Sequence, residues 1–154
     1  MNFDQVTRLL HKIFATDVGW HALQQQDGTY RKTFGGASIA FLKKVLTERK
    51  SVALYQKNID RTIKWICYDF DIIKAFLDKK SFEEGRAELI SSVRSFCVGL
   101  DDLEIPYLLE FSGNRGYHVW ITFEEKITYQ MGYEIQQALL AKIDPKFSHR
   151  IVAL

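Results

Sequence analysis

The chain has 154 residues, of which 47% are hydrophobic and 26% are charged, and its formal net charge at pH 7 is +2. These values are typical of one compact globular domain and exclude a disordered chain, a collagen and a long coiled coil. No apolar run is long enough to span a membrane, and the polar N-terminus lacks the pattern of a secretory signal peptide. Cys67 and Cys97 do not form a C-x-x-C motif. We therefore expect a cytoplasmic protein with reduced thiols.

The charges are unevenly distributed along the chain. Residues 1–64 carry 11 Lys and Arg against 5 Asp and Glu, whereas residues 65–154 carry 10 against 14. A basic first half suits a polyanionic partner, and an acidic second half can hold cations. The simpler alternative is that the charges only solvate helices.

Hydrophobic periodicity predicts two helices in the first part of the chain. Residues 3–14 have apolar side chains at helical spacing, and Ser38 can cap a second helix whose inner face includes Leu42 and Val45. Between the two helices, the polar, glycine-containing stretch 24–36 is predicted to be a loop or flap.

The period changes to that of β-strands after residue 50. Four segments rich in Val, Ile, Tyr, Trp and Phe are predicted to be strands, namely 51–56, 62–72, 105–111 and 117–123. Ser81 and Glu84 form a capping box that begins a helix between the second and third of these strands. A last helix follows, with apolar residues from Ile127 to Leu139. This order predicts an α+β domain with helices on one face of a largely antiparallel sheet.

The segment WICYDFDI (65–72) contains two acids within an apolar strand. Alternate residues of a strand lie on the same face, so Asp69 and Asp71 project together, about 7 Å apart along the backbone. Their charges repel each other unless a divalent cation lies between them, and carboxylate oxygens suit Mg²⁺ or Mn²⁺. The alternative is that both acids lie at a strand end and face solvent.

The segment EFSGNRGYHVW (110–120) connects two predicted strands through a serine and two glycines. The backbone N–H groups of such a connection can converge on an anion, and Arg115 can bind a phosphate through two hydrogen bonds. His118 lies two residues into the following strand, on the same face as Trp120. The alternative is a five-residue hairpin loop followed by an ordinary half-buried histidine.

Together, the hhhDhD strand (h, hydrophobic) and the later Ser-Gly-x-x-Gly-h-His segment resemble the archaeo-eukaryotic primase superfamily. This superfamily comprises the catalytic small subunits of archaeal and eukaryotic primases and related primase-polymerases. The SGNRGYHVW segment looks most like stand-alone prokaryotic members associated with mobile elements, conflict systems or CRISPR loci. The resemblance covers residues 55–143 and implies an RRM-like sheet that carries the site.

The resemblance also implies a domain organisation. We expect one catalytic domain over residues 1–154, with a helical N-terminal part (1–50) and an RRM-like core (51–144). Because family members usually continue further, we expect a minimal or shortened version of the family's catalytic core. The zinc-binding Cys and His clusters of many relatives are absent from the sequence.

The resemblance assigns roles to the motif residues. It implies that two Mg²⁺ or Mn²⁺ ions are bound by Asp69, Asp71 and a third acid. It implies that the triphosphate of a nucleotide is contacted by Ser112 and His118, with help from Gly113, Arg115 and Gly116.

The third acid is less well marked in the sequence. Asp144, after Ile143, is the best match to the family's third motif, a hydrophobic residue followed by an acid. Because Asp144 precedes Pro145, it is equally consistent with a turn at a helix end. Glu110 and Glu124 are the alternative acids.

The implied reaction is nucleotidyl transfer from an NTP or dNTP to a 3′-hydroxyl on a single-stranded DNA or RNA template, which synthesises or extends primers. The basic residues expected to follow the template backbone are Lys43, Lys44, Lys57, Arg61 and Lys64. Tyr30, Tyr55 or Trp120 can stack on bases. The alternative for each of these aromatic side chains is packing within the sheet. Further expected partners are components of replication, repair, CRISPR or conflict systems, and no membrane is expected.

Two other functions stay open from the sequence. A non-catalytic RRM-like binding module would use sheet aromatics such as Tyr68 and Phe70 for stacking and would not need paired acids in the same strand. The second alternative is an inactive primase fold that serves as a scaffold, because the sequence matches the family's third acidic motif only weakly. A rolling-circle nicking nuclease is disfavoured, since the four histidines include no His-h-His pair.

Overall fold

The computed structural model describes residues 2–72, 81–113 and 115–143, together with the backbone of 152–153. In chain order its elements are α1 (Phe3–Phe14), β1 (Trp20–Gln24), β2 (Tyr30–Phe34), α2 (Ile39–Thr47), β3 (Val52–Leu54), β4 (Thr62–Asp71), α3 (Phe82–Asp102), β5 (Leu108–Phe111), β6 (Gly116–Thr128), α4 (Tyr129–Ile143) and β7 (Val152–Ala153). Among these described helices, none is both long and apolar enough to cross a membrane.

The chain divides into two compact units. Unit 1 comprises Met1–Trp65 and Phe123–Tyr129, and unit 2 comprises Ile66–Thr122 and Gln130–Leu154. Unit 1 contains α1, α2 and an antiparallel sheet with the strand order β2-β1-β3. As the sequence predicts, Ser38 caps α2, and its hydroxyl accepts a hydrogen bond from the Phe41 amide.

Residues 24–36 differ from the predicted loop or flap. β1 and β2 form a hairpin here, with Trp20 opposite Phe34. Gly28, at a φ of 82°, supplies the left-handed residue of the turn between them. The prediction was wrong because β2 has four exposed residues out of five, so that no buried apolar period marks it as a strand.

Unit 2 contains a second sheet, with the strand order β5-β6-β4-β7. α3 connects β4 to β5, and α4 follows β6, so that β4 to β7 have the βαββαβ connectivity of RRM and ferredoxin-like folds. β5 pairs antiparallel with β6, and β4 pairs antiparallel with β7. This arrangement confirms the predicted α+β fold with an RRM-like, mostly antiparallel sheet. The predicted capping box of Ser81 and Glu84 begins α3.

The helices of unit 2 contact the same face of β4. The Tyr68 and Phe70 rings lie 4.6 Å and 5.4 Å from the Phe96 ring of α3, measured between centroids. The Tyr68 hydroxyl donates a 2.9 Å hydrogen bond to the Gln136 carbonyl of α4. Because Tyr68 and Phe70 point toward the helices, the alternate residues Asp69 and Asp71 lie on the opposite face of the sheet.

Candidate active site

The face of the unit 2 sheet opposite the helices is called the open face here. Val119 and Ile121 are buried on the helix side of β6, so His118 and Trp120 lie on the open face. Glu110 of β5 pairs directly with His118. The open face thus carries Asp69 and Asp71 from β4, His118 and Trp120 from β6, and Glu110 from β5. The acids and the histidine predicted from two separate motifs share one surface.

His118 lies between two carboxylates. Its Nδ1 is 3.0 Å from Glu110 Oε2, and its Nε2 is 3.6 Å from Asp69 Oδ1. Trp120 Nε1 donates a 2.8 Å hydrogen bond to the same Glu110 oxygen. Since an ionised carboxylate only accepts hydrogen bonds, Nδ1 of His118 carries a hydrogen, and Nε2 is directed toward Asp69.

The hydrogen bond between Glu110 and His118 shifts the protonation of both groups. It raises the pKa of His118 above its usual value, with partial burial acting in the opposite direction. The same hydrogen bond lowers the pKa of Glu110. A positive charge on His118 is therefore stabilised on the open face.

Asp69 lies in a less favourable environment for a charge. Partial burial raises the pKa of its carboxyl, the charge of His118 lowers it, and the charge of Asp71 raises it again. The net direction is upward, so the ionised form of Asp69 gains from any further cation beside it.

Asp71 is paired with Arg115. The Nε of Arg115 lies 3.0 Å from both carboxylate oxygens of Asp71, and Oδ1 also accepts a 2.8 Å hydrogen bond from the Ile72 amide. The side chains of Asp71 and Arg115 are 41% and 42% exposed. Such a part-exposed pair is weak, so Arg115 can exchange between this carboxylate and another anion.

Ser112 and Gly116, at the two ends of the connection between β5 and β6, are joined by hydrogen bonds. Ser112 Oγ accepts a 3.0 Å hydrogen bond from the Gly116 amide, and the Ser112 amide donates to the Gly116 carbonyl at 2.9 Å. Gly113 has a φ of 88°, in the left-handed region that favours glycine. The Gly116 amide thus bonds to Ser112, whereas the Ser112 hydroxyl keeps its own hydrogen for another acceptor.

Gly116 brings this connection against β4. A Cβ atom at this position would lie 2.7 Å from the Phe70 carbonyl oxygen and 3.5 Å from Asp71 Oδ1. Only glycine fits without a shift of the backbone. The Ser-Gly connection and the paired acids are therefore neighbours.

A small cavity adjoins the connection on the helix side of the sheet. Its volume is about 80 Å³, and Arg86 and Arg115 line it together with Phe82, Phe111 and Tyr117. Arg86 is a second cation near the Ser-Gly connection, and the sequence alone did not indicate it.

Of the candidates for the third acid, Glu110 lies on the open face, where it is bonded to His118 and Trp120. Asp144 lies outside the described residues, and Glu124 belongs to unit 1. Within the described ranges, no group of three or more His, Cys, Asp and Glu side chains is arranged to hold a metal ion. The donor chemistry of Asp69 and Asp71 fits a hard divalent cation, provided that further oxygen ligands come from elsewhere in the chain or from a substrate.

The basic residues predicted to follow a template all lie in unit 1. Lys43 is ion-paired with Asp4, and Lys44 lies 4.0 Å from Glu48. The Lys57 ammonium is 5.1 Å from the centroid of the Tyr129 ring. These three lysines therefore have partners within unit 1, the unit to which Arg61 and Lys64 also belong.

Sequence reasoning missed the contact between Glu110 and His118 and named Glu110 only as an alternative acid. The hairpin register contains this information. A five-residue connection that begins at Ser112 places Phe111 opposite Tyr117 and hence Glu110 opposite His118.

Tyr68 and Phe70 are not available for the stacking that a non-catalytic RRM-like module would need from them. Tyr68 and Phe70 are 0% and 2% exposed and are turned toward the helices. The open face instead carries the acids and the histidine.

Comparison with protein families supports the assignment of these motifs. A model described as the archaeo-eukaryotic primase domain of the TOTE conflict system matches residues 22–151. This range includes the β4 acids and the whole Ser-Gly connection. The comparison with curated proteins gave no significant match.

The close approach of Gly116 to β4 predicts a sensitive position. We expect Gly116→Ala to destabilise the fold by about 1–3 kcal/mol, because the new Cβ would meet the Phe70 carbonyl. The control is Gly36→Ala in unit 1, where a Cβ would meet only the Val18 carbonyl oxygen at 4.0 Å. Urea unfolding measures both variants, and equal stability of the two would contradict the packing described here.

The bond between Glu110 and His118 predicts a pH-dependent stability. Because the pKa of His118 is raised in the folded chain, its contribution is complete below the usual value of 6.5 and is lost as the pH rises above it. Because the pKa of Glu110 is lowered, its contribution is complete above the usual value of 4.5 and is lost at lower pH. The stabilising window of the pair therefore includes pH 4.5 to 6.5.

Glu110→Gln tests this window. We expect the difference in unfolding free energy from the wild type to be largest near pH 5.5, up to about 1 kcal/mol, and smaller at pH 8.5. Urea unfolding in EDTA at several pH values measures it, with Glu134→Gln on the exposed surface of α4 as the control. A difference that is the same at both pH values would show that the two groups do not interact as described.

Proposed function

Since the chain belongs to the archaeo-eukaryotic primase family, we propose that it is a template-directed nucleotidyltransferase that acts on NTPs or dNTPs. Family membership supports a primase-like or nucleotidyltransferase function at the level of the superfamily. The observation that carries the more specific proposal is the open face itself. There, Asp69, Asp71 and His118 lie together, beside the connection that begins at Ser112.

The proposed cofactor is Mg²⁺ or Mn²⁺, held by Asp69, Asp71 and a third acid, for which Asp144 is the candidate. Ions held by these residues would supply positive charge, which would lower the pKa of the attacking 3′-hydroxyl and neutralise charge on the leaving pyrophosphate. The upward shift in the pKa of Asp69 supports this assignment, because a nearby cation would relieve the cost of its ionised form.

The remaining side chains would bind the triphosphate. His118, protonated with its Nδ1 hydrogen on Glu110, can donate from Nε2 to a phosphate oxygen. Arg115 can leave Asp71 and bind a phosphate through two hydrogen bonds. The Ser112 hydroxyl supplies one further donor. These groups hold the nucleotide in line and stabilise the charge that moves onto the leaving group.

The proposed partners follow from the same assignment. A single-stranded DNA or RNA template would be bound by the basic surface of unit 1, where positive charge is in excess. Other components of a conflict system are further proposed partners, in keeping with the family description.

Removal of the paired acids tests the proposed reaction. We expect Asp69→Asn/Asp71→Asn to reduce nucleotide incorporation by at least about a thousandfold, because both proposed metal ligands lose their charge. The assay is incubation with a single-stranded template, Mn²⁺ and labelled NTPs or dNTPs, with the products sized on a gel.

The control for this experiment is Asp101→Asn/Asp102→Asn, which removes two exposed neighbouring acids at the end of α3. It should keep wild-type activity. Thermal unfolding in EDTA should show that both double variants are folded. Wild-type activity in Asp69→Asn/Asp71→Asn would refute the assignment, and an inactive wild type would favour a scaffold role.

His118 tests the nucleotide-binding part of the proposal. We expect His118→Ala to raise the KM for nucleotide by about ten- to a hundredfold, since a charge-assisted hydrogen bond to phosphate is lost. Steady-state kinetics at saturating template measures the change, and His11→Ala on α1 is the control. An unchanged KM in His118→Ala would remove His118 from this role.

A further inference from the structure

Unit 1 carries a cluster of aromatic side chains that the open face of unit 2 does not use. Trp20 pairs with Phe34 across the β1–β2 hairpin, and Lys32 and Tyr30 follow at alternate positions of β2. Tyr55 continues the same alternation one residue beyond β3. These side chains share one side of the sheet. We call the set Trp20, Tyr30, Lys32, Phe34 and Tyr55 the aromatic platform.

The other side of this sheet already has its packing partner. His21 of β1 is 4% exposed, and its ring lies 4.1 Å from the Phe41 ring of α2, measured between centroids. Its Nδ1 is 2.7 Å from the Gly35 carbonyl oxygen. The inner side therefore forms the core contacts, and the platform faces outward.

The platform is unusually exposed for aromatic residues. Phe34 is 76% exposed, Tyr30 51%, Trp20 40% and Tyr55 39%. Contiguous exposed apolar surface is rare on soluble monomeric proteins, and where it occurs it often marks a binding site. The Trp20 and Phe34 rings contact each other edge to face, with their centroids 5.1 Å apart.

The platform also carries a positive charge. The Lys32 ammonium lies 4.5 Å from the centroid of the Trp20 ring and 5.8 Å from that of Tyr55. Among the described residues, no carboxylate forms an ion pair with it. Lys32 thus differs from Lys43, which is paired with Asp4. Residues 1–64 as a whole carry 11 basic against 5 acidic side chains.

We propose that the aromatic platform binds single-stranded nucleic acid. Bases would stack on the exposed rings, and Lys32 would contact a backbone phosphate. This combination of exposed aromatic rings and a cation is complementary to a strand of unpaired bases joined by phosphates. The inference rests on the proposed function, because the bound strand would be the template.

A second copy of the chain fits this surface less well. In a two-fold symmetric dimer each platform would face an identical platform, and the two Lys32 ammonium groups would lie in the same interface without a carboxylate. The charge of Lys32 instead favours a polyanion.

The binding experiment uses the full chain in EDTA, without nucleotide, so that no transfer reaction is required. Fluorescence anisotropy would measure the Kd for labelled oligo(dT) and oligo(U) of about twelve nucleotides, a length within the site sizes of such surfaces. We expect Phe34→Ala and Trp20→Ala each to raise the Kd about tenfold. Lys32→Gln should weaken binding and lower the slope of log Kd against log salt by about one.

Control variants separate stacking from damage to the fold. Phe34→Tyr and Trp20→Phe keep a ring and should bind within about twofold of the wild type, because stacking tolerates any aromatic face. Tyr133→Ala removes an aromatic side chain that is 50% exposed on α4 and should leave the Kd unchanged. An equal loss in Tyr133→Ala would contradict a specific platform.

The outcomes distinguish this inference from the proposed function. Asp69→Asn/Asp71→Asn should bind oligonucleotide like the wild type while it fails to incorporate nucleotides. Unchanged Kd values in the platform variants, with an active wild type, would overturn the platform and leave the proposed function intact. Platform-dependent binding by a wild type that incorporates no nucleotide would support the platform and overturn the proposed function.

Sedimentation of the same variants tests whether a second copy of the chain occupies the platform instead. A wild-type dimer that Phe34→Ala dissociates, with no change in oligonucleotide affinity, would assign the platform to a second copy and overturn the inference. Preference for oligo(dT) or oligo(U) would identify the strand as DNA or RNA, and either preference supports the proposal.

Discussion

The alternation of side chains along β4 is the constraint on which unit 2 depends. Tyr68 and Phe70 are buried against α3 and α4. Because side chains alternate along a strand, Asp69 and Asp71 must therefore lie on the opposite face of the sheet. A shift of one residue in register would bury both carboxylates and expose both rings. The hydrophobic packing that stabilises the fold therefore also fixes the place of the candidate metal ligands.

The charges on the open face compensate one another more fully than the sequence suggests. From the sequence, two acids on an apolar strand repel each other until a divalent cation binds. In the structure, Arg115 pairs with Asp71, and His118 lies beside Asp69. Glu110 in turn stabilises the charge of His118. The site can fold with its own cations in place, and those same cations are suited to binding phosphate.

Local patterns predicted much of this arrangement. The strand period of β4 and the cap at Ser38 depend on neighbours in sequence, and such patterns predicted the α+β fold with Asp69 and Asp71 on one face. The family resemblance carried by the two motifs implied the RRM-like form of the sheet. The β1–β2 hairpin was missed because β2 exposes most of its side chains and leaves no buried period to detect. The pairing of Arg115 with Asp71 depends on two strands meeting, which spacing alone does not determine.

The central claim is that the open face binds a divalent cation together with a nucleotide. Calorimetric titration of Mn²⁺ into the chain, in the presence of a nucleotide analogue that cannot be incorporated, tests it most directly. The account predicts saturable binding to the wild type and a loss of that binding when Asp69 alone is changed to Asn. Equally tight Mn²⁺ binding by both proteins would contradict it.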